Sequence, residues 1–416
     1  MPKIVNLASK IEKQLPIELV EFLESAGLIA AKQGWSLYLV GGVVRDLLLG
    51  RNNFDIDMVV EGDAVTLGKF LAGMTGGKIT THPRFGTAKL IWDKWTIDIV
   101  TARSETYARP GALPTAKPGI LANDLFRRDF TINAMAVELI SGRWGQLIDL
   151  YGGQQDLKQK QIRILHKGSF TDDATRIWRA IRYEQRLDFN IEANTMSLLK
   201  RDIPQLDTIS GDRIRHELEL GLKESAPEKG LSRADKLGAL AKIHPDLKYN
   251  DWLTEKFQAA RQLSEPQLPS VALYMALLTY SLNGSKIADL ISYLHLTKPL
   301  GETLHASINL KTKLKLLSKP KLRPSRIYEL LDGYPITAIT ANSLATDSPV
   351  VRHNIQLFLT KLRYVKPAIT GEYLKKQGIP AGPRIKEILR RLLEARLDGK
   401  VTSRKSEEEL VRSEIS

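Results

Sequence analysis

The sequence predicts an α+β fold, with a mixed N-terminal part that is followed by a long all-helical part. Two observations lead to this prediction. Runs with strand character, WSLYLV (35–40), FDIDMVV (54–60) and WTIDIVTA (95–102), all fall within the first 150 residues. From about residue 155 onward strand signals almost vanish and helical periodicity takes over.

The helical patterns place the elements more closely. Between the strands, the sequence predicts helices at 42–49 and 63–74. Pro and Gly cluster at 264–269 and 318–324, which indicates joints within the helical part. Further helices are predicted at 170–187, 191–200, 210–223 and 383–398.

Composition excludes several classes of protein. The chain has 416 residues, 43% of them hydrophobic, and therefore has enough material for a sizeable core. It has no cysteine, which excludes disulfides, thiolate zinc sites and cysteine nucleophiles. The first residues carry scattered charges rather than a signal peptide's apolar run, and no stretch approaches the ~20 apolar residues of a membrane span. We therefore expect a soluble, cytoplasmic protein.

The formal charge of +14 is unevenly placed along the chain. Residues 301–400 hold 19 Lys and Arg against 8 Asp and Glu, which is a net charge of +11. Such a surplus either keeps a protein soluble or binds a polyanion, because Lys and Arg release counterions from phosphates. Charge alone leaves both interpretations open.

The segment LVGGVVRDLLLGRNNFDIDMVV (39–60) carries the pattern of a metal and nucleotide site. In a strand, Asp55 and Asp57 point to the same face, and their mutual repulsion is relieved by a divalent cation. Mg²⁺ suits such a site, since it takes a few carboxylates together with waters and substrate phosphates. Gly41 and Gly42 let the backbone approach a triphosphate, and the helix N-terminus and Arg45 add positive charge. This combination predicts phosphoryl-type transfer.

Asp98 is a candidate third catalytic carboxylate in the strand TIDIVTA (96–102). The alternative is a strand-end carboxylate that only caps a turn. The sequence leaves both interpretations open.

The segment SFTDDATRIWRAIRYEQRLDF (169–189) carries acidic residues followed by a basic stripe. On one continuous helix, Asp172 and Asp173 would lie beside Arg176, and Arg179 and Arg182 would continue the stripe. An ordinary surface helix with local ion pairs is one interpretation. The other is base recognition: cytosine and adenine each present an amino donor beside a ring-nitrogen acceptor, which a carboxylate next to a guanidinium matches.

With these residues in view, the sequence resembles the bacterial tRNA nucleotidyltransferase and poly(A) polymerase family, the class II CCA-adding enzymes of the polymerase-β superfamily. The resemblance runs in order through about the first 220 residues, with a further match at 374–404. Besides the two segments above, the motifs that carry it are DLFRRDFTINAMA (124–136), DLYGGQQDL (149–157) and SGDRIRHEL (210–218).

The resemblance implies a polymerase-β-like nucleotidyltransferase head at 1–150 and a helical base-reading neck at 151–225. A helical body at 226–320 and a helical basic tail that binds tRNA at 321–416 would follow. It implies Mg²⁺ as cofactor, tRNA with CTP or ATP as partners, and no membrane or obligate protein partner. Matched by position, the implied nucleotide-binding residues are Gly41, Gly42, Arg45, Arg128, Asp129, Asn133, Asp173, Arg176, Arg179 and Arg182, and the implied metal ligands are Asp55 and Asp57.

The sequence departs from the family pattern at two places, and the second of them affects the implied product. Asp172 stands where the family usually has Glu, which preserves the charge on a shorter side chain. The segment 103–123, where complete CCA-adding relatives carry a flexible loop, contains Pro110, Pro114 and Pro118, each of which fixes φ. We therefore favour addition of CC. Addition of A, complete CCA addition, a poly(A) polymerase and an RNA-binding protein on an inactive scaffold remain alternatives.

Overall fold

A computed structural model describes residues 5–415 of the chain. Within them, the three strands predicted at 35–40, 54–60 and 95–102 are confirmed as β1, β2 and β5. The strands are β1 (Ser36–Val40), β2 (Ile56–Glu61), β3 (Lys78–His82), β4 (Thr87–Trp92), β5 (Trp95–Thr101), β6 (Arg103–Thr106), β7 (Thr115–Pro118), β8 (Met135–Glu138), β9 (Leu147–Asp149), β10 (Gln161–Ile162) and β11 (Asn190–Ile191).

Seven of these strands form one mixed sheet, in the order β3-β4-β5-β2-β1-β8-β9. The pairing of β2 with β5 is parallel, and its register sets Asp57 beside Asp98. The other pairs in this sheet are antiparallel. Outside it, β6 and β7 form an antiparallel hairpin, and β10 and β11 form a two-residue parallel pair. This last pair lies beyond residue 155, in the part that was predicted to lack strands.

Helices accompany the sheet and make up most of the remaining described chain. Those that begin within the first 217 residues are α1 (Ala8–Gln14), α2 (Ile17–Lys32), α3 (Gly42–Leu49), α4 (Ala64–Thr75), α5 (Leu121–Phe126), α6 (Gly153–Lys158), α7 (Ser169–Asp172), α8 (Thr175–Leu187), α9 (Ala193–Asp202) and α10 (Gly211–Leu222).

The later helices confirm the predicted all-helical character of the chain beyond the head. The joints predicted at 264–269 and 318–324 fall between consecutive helices, as expected. These helices are α11 (Pro227–Leu237), α12 (Asp251–Ser264), α13 (Val271–Leu278), α14 (Gly284–Tyr293), α15 (Lys298–Leu317), α16 (Pro324–Leu331), α17 (Ile336–Ala345), α18 (Pro349–Thr360), α19 (Gly371–Lys376), α20 (Pro383–Leu397) and α21 (Arg404–Ile415).

The chain packs into two compact units. One comprises residues 1–217 and 233–242, and the other comprises 218–232 and 243–416. The first contains the mixed sheet, and one of its core clusters packs β1 and β2 against α5. In the second, one cluster joins α15 to α18 and includes Leu397 of α20, and another joins α19 to α21. The four domains predicted from the sequence remain a prediction.

The single helix predicted at 170–187 is wrong, because the structure interrupts it at Asp173. This residue has extended backbone (φ −143°, ψ 100°) between α7 and α8. Its side chain accepts hydrogen bonds from the backbone nitrogen and the hydroxyl of Thr175, at 2.9 and 2.6 Å. An Asp that bonds locally in this way competes with helix continuation and favours a helix start instead.

No helix among residues 5–415 combines the length and the apolar character that a bilayer crossing needs.

Candidate active site

The turn that follows β1 is shaped by a glycine. Gly41 has φ +76°, a conformation that residues with a side chain rarely adopt. A Cβ atom at this position would lie 3.0 Å from Nη1 of Arg128 and 3.6 Å from Oδ2 of Asp57. The turn therefore brings backbone, guanidinium and carboxylate together at one point, and α3 begins directly after it at Gly42.

The two predicted metal ligands flank the start of β2. Asp55 is exposed immediately before the strand, Ile56 is buried, and Asp57 is half-buried on the strand itself. Burial and then the neighbouring Asp55 carboxylate raise the pKa of Asp57 to about 6, against the opposing charge of Arg128. A carboxylate held beside a second one in this way favours a bound cation.

Asp98 lies next to Asp57 in the register of β2 and β5. Its Oδ2 accepts a hydrogen bond from Nζ of Lys89 at 2.8 Å. The Lys89 side chain is 48% exposed and that of Asp98 is 33% exposed, so this pair is weak. Within residues 5–415, no group of three or more acidic or histidine side chains is arranged to hold a metal ion. The role of Asp98 as a third ligand thus stays a prediction.

The pair Asp55 and Asp57 nevertheless fits Mg²⁺ by its donor chemistry. This ion needs one or two carboxylates and completes its octahedron with waters and substrate phosphates. Arg128, whose Nη2 donates to Asp124 at 3.0 Å, has a buried Nε without a hydrogen-bond partner among the described residues. A guanidinium beside two carboxylates is suited to a phosphate that a metal also contacts.

Arg45, predicted to bind the triphosphate, is buried with only 2% of its surface exposed. Its Nε and Nη2 donate to the two carboxylate oxygens of Asp46, at 2.9 and 2.8 Å, and its Nη1 donates to Asn133 at 2.7 Å. Each nitrogen of the guanidinium thus has a protein acceptor. In this structure the hydrogen bonds of Arg45 are made within the protein, to Asp46 and Asn133, and its contact with a triphosphate remains a prediction.

A side-chain relay continues from Asn133 to α8. Nδ2 of Asn133 donates to Oδ1 of Asp129 at 3.0 Å, and Arg179 donates twice to Oδ2 of Asp129, at 2.8 and 2.6 Å. Although burial alone would raise it, the Arg179 guanidinium and the Asn133 amide lower the pKa of Asp129 to about 2. Arg179 and Arg182 in turn share Glu217 of α10. The relay therefore links the glycine turn to the helix predicted to read the base.

The predicted basic stripe faces inward. Arg176 is 5% exposed, and it donates to the Ser169 hydroxyl and to the Arg127 carbonyl, both at 2.6 Å. The expected neighbours of Arg176 have other partners: Asp173 contacts Arg213 at 2.8 Å, and Asp172 lies 3.7 Å from His166. The interpretation with local ion pairs on one continuous helix is therefore wrong, because the helix is interrupted between the acidic and the basic residues.

Sequence reasoning missed several residues of this site. Asp46 accepts from both Arg45 and Asn53, whose Oδ1 accepts the backbone N–H of Asp55 at 3.0 Å. Tyr183 of α8 is surrounded by three guanidinium groups, those of Arg45, Arg179 and Arg182, at 5.2 to 5.7 Å from its ring centroid. Because Arg179 and Tyr183 are four residues apart on a helix, their contact was predictable from the sequence. The role of Asp46 was not visible without the fold.

The hairpin β6–β7 occupies the segment that carries the three prolines. Near its tip, Gly111 approaches Thr208 so closely that a Cβ atom would lie 2.4 Å from the threonine hydroxyl oxygen. At its base, Glu105 accepts hydrogen bonds from Arg127 and Tyr107. The hairpin is thus anchored at both ends within the first unit.

Two family models match the chain. The Poly A polymerase head domain matches residues 37–163, and a probable RNA- and SrmB-binding site of polymerase A matches 188–250. A curated relative, the A-adding tRNA nucleotidyltransferase of Geobacter sulfurreducens, is 37% identical over 95% of this chain and 47% of its own length. Other curated relatives are named CC-adding tRNA nucleotidyltransferase and CCA-adding enzyme. The chain spans about half the length of the first curated relatives it matches.

Solved structures match over the full chain. A CCA-adding enzyme in an apo form is 32% identical with a TM-score of 0.84, and 100% of both chains is covered. The Thermotoga maritima CCA-adding enzyme, solved in complex with a tRNA, is 31% identical with a TM-score of 0.79 and the same coverage.

Proposed function

The chain belongs to the tRNA nucleotidyltransferase family of CCA-adding and related enzymes, and from this premise we propose that it adds nucleotides from CTP or ATP to the 3′ end of a tRNA without a nucleic-acid template. One observation carries the proposal. The acidic pair Asp55 and Asp57 lies beside the glycine turn at Gly41 and the guanidinium of Arg128, on the sheet that the head-domain model covers.

In this proposal each group has a task. Asp55 and Asp57 would hold Mg²⁺, and the chemistry that the ion would supply there is neutralisation of triphosphate charge and activation of the attacking 3′ hydroxyl. Backbone N–H groups at the start of α3 and the guanidinium of Arg128 hold the phosphates of the incoming nucleotide. Arg45 keeps the turn in place through Asn133. The fixed positions of these groups supply orientation, which is a large part of catalysis in phosphoryl transfer.

Base choice is assigned to the start of α8. Both Thr175 donors and the Arg213 guanidinium contact Oδ1 of Asp173. No described residue donates to Oδ2, so this oxygen is available for the amino group that cytosine and adenine share. Arg176 is committed to Ser169 and Arg127, and reading of the ring nitrogen therefore requires it to exchange one of these contacts for the base.

We expect Asp173→Ala to relax nucleotide choice. The change removes the carboxylate that is proposed to accept a hydrogen bond from the amino group of the base. A charge-assisted hydrogen bond contributes about 1.5–3 kcal/mol, or roughly ten- to a hundredfold in discrimination. UTP and GTP should become measurable substrates relative to CTP or ATP, in assays with each triphosphate alone. Asp172→Ala, one residue away, is the matched control. A preference profile identical to that of the unchanged protein would refute base reading by Asp173.

The product is the open part of the proposal. We keep CC addition as the finer prediction, supported by the anchored hairpin at 103–118, which opposes a switch between two bases. Addition of A alone is the second candidate, because three curated relatives that are 36 to 40% identical to this chain carry that name. An anchored hairpin is compatible with either single-base activity.

Three tRNA substrates separate these products. Purified protein is incubated with tRNA that lacks CCA, tRNA that lacks only the final A, and intact tRNA, each with CTP or ATP alone. Extension of the first substrate by two residues with CTP indicates CC addition, and extension of the second with ATP indicates A addition. Long tails on all three would indicate a poly(A) polymerase. No extension of any substrate would favour a binding protein on an inactive scaffold.

We assign contacts with the tRNA backbone to the basic tail. This assignment predicts that the affinity for tRNA depends on salt concentration. Lys375 and Lys376 are exposed at the end of α19. If both contact phosphates, Lys375→Ala with Lys376→Ala should flatten the slope of log affinity against log salt by about 0.7–0.9 per lysine. Nitrocellulose filter binding of tRNA across a salt series measures this slope. Lys13→Ala with Lys32→Ala, two exposed head lysines, is the control, and equal slopes in both double variants would reject the assignment.

A further inference from the structure

A second feature of the head has no role in the proposed chemistry. A cleft of about 300 Å³ opens between the short 3-10 turn Pro83–Phe85, the end of β2 and the β6–β7 hairpin. Its walls include Arg84, Phe85, Arg103 and Lys117. None of these residues belongs to the surroundings of the acidic pair. We call this feature the hairpin cleft.

The floor of the hairpin cleft is rigid. Thr101 donates its backbone N–H to the Gly86 carbonyl at 2.9 Å, and its hydroxyl accepts the N–H of Ala64 at 3.1 Å. Gly86 has φ +58°, and a Cβ atom there would lie 3.2 Å from the Thr101 side chain. Gly62, also in the wall, is packed against the Trp35 ring so closely that no Cβ fits. The cleft is therefore a shaped part of the fold, built from backbone that cannot easily collapse into it.

Positive charge dominates its walls. Arg84 and Lys117 are exposed, and neither forms an ion pair with a residue in the described part of the chain. Arg103 keeps its charge partly exposed while it pairs with Glu105. The one acidic residue in the lining, Asp63, caps α4 by accepting from Val65 and Thr66. Two cations are thus free to meet an anion at the rim.

An aromatic ring stands beside these cations. Phe85 is 58% exposed, although exposure of an apolar ring to water is unfavourable. The Arg84 guanidinium lies 5.9 Å from the centroid of its ring. Proteins bind single-stranded nucleic acids with exposed rings flanked by unpaired cations, because bases stack on the ring and phosphates contact the charges.

We propose that the hairpin cleft holds one nucleotide of a single-stranded RNA segment, with its base on Phe85 and its phosphate between Arg84 and Lys117. The inference rests on the proposed function, because it concerns the RNA that is extended. Thr101 is three residues beyond Asp98 on β5, or about 10 Å along the strand. The odd offset sets the Thr101 side chain on the opposite face of the sheet from Asp98, so an RNA strand that ends at the acidic pair reaches the cleft by passing around the carboxyl ends of β2 and β5.

A free mononucleotide fits the cleft less well. Small-molecule sites bury most of the ligand and place a few polar groups that fix its orientation. Here the ring and both free cations lie at the exposed rim, so base identity is not read. Stacking and charge without base reading suit a strand whose other residues are held elsewhere.

The test compares two double variants. Phe85→Ala with Lys117→Ala removes the ring and one cation of the hairpin cleft. Lys69→Ala with Phe70→Ala removes an exposed lysine and an exposed phenylalanine from α4, where neither residue lines the cleft. The probes are a tRNA that lacks its CCA end, and CTP and ATP separately. Initial rates give KM for each substrate, and filter binding gives the tRNA affinity without any reaction.

The cleft variant should raise KM for tRNA and weaken tRNA binding by about tenfold, the loss expected for one stacked base with its phosphate contact. Its KM for CTP or ATP and its kcat at saturating tRNA should equal those of the control variant. Equal tRNA affinity in the two variants would overturn the proposal, and so would a loss confined to KM for the triphosphate. If the unchanged protein binds tRNA but extends none of it, the proposed function fails, and a binding difference between the variants would still support the cleft.

Discussion

Asp57→Asn is expected to abolish nucleotide addition by several orders of magnitude while tRNA binding stays largely intact. The change removes a charged oxygen from the pair that we propose holds Mg²⁺ and preserves the size of the side chain, so the metal's contribution to the reaction is lost without a cavity. Single-turnover extension of tRNA measures the rate, and filter binding measures the affinity. Asp55→Asn should behave in the same way.

Stability separates this outcome from simple unfolding. In metal-free protein, Asp57→Asn removes a half-buried contact between like charges, so Tm should be equal to or higher than that of the unchanged protein. Asp93→Asn is the matched control, because it makes the same substitution in an exposed turn between β4 and β5 of the same sheet. Near-normal turnover of Asp57→Asn would reject the assignment of the metal ligands.

The second large effect is expected at Asp129. This carboxylate is buried, and it joins Asn133 to Arg179. Asp129→Ala leaves the Arg179 guanidinium without its main partner, and loss of one member of a buried pair typically costs about 3–5 kcal/mol of the free energy of unfolding. Urea unfolding of the first unit measures this cost. Because the relay reaches the glycine turn through Asn133 and Arg45, we expect kcat to fall as well.

The pH dependence of Asp129→Asn isolates the charge. The pKa of Asp129 is about 2 in the folded chain and near 3.8 when the chain is unfolded, so ionisation favours folding above pH 4 and this contribution disappears as pH falls toward 2. At pH 7 the variant should therefore be less stable by about 2 kcal/mol, with the difference shrinking below pH 4. Asp188→Asn, at the exposed end of α8, is the control. A difference that does not change with pH would show that the ion pair adds nothing.

The sequence predicted best what depends on neighbours along the chain. The three strands, the helices at 42–49 and 63–74, and the joints in the helical part follow from hydrophobic periodicity and turn residues, which act over a few positions. The alternation that buries Ile56 and leaves Asp55 and Asp57 accessible was predictable for the same reason.

The direction of the charged side chains was less predictable. Arg45 and Arg176 are basic residues near a proposed phosphate site, and sequence alone gives no sign that both are buried with protein acceptors. Their partners, Asn133 and the carbonyl of Arg127, are distant in sequence and meet them only in the folded chain. The interruption at Asp173 was also missed, because helical periodicity outweighed the capping tendency of an Asp that precedes Ala-Thr.

The link from Asp46 through Asn53 to the backbone of Asp55 has a consequence for folding kinetics. These residues lie within ten positions of one another, and the loop that their contacts close is therefore short and entropically cheap. The contact between Asp129 and Arg179, in contrast, closes a loop of 50 residues. Contacts of low sequence separation form early, so the loop before the acidic pair is expected to take its shape before α8 docks. The loop that orients the proposed metal ligands would then be formed before the more distant elements pack around it.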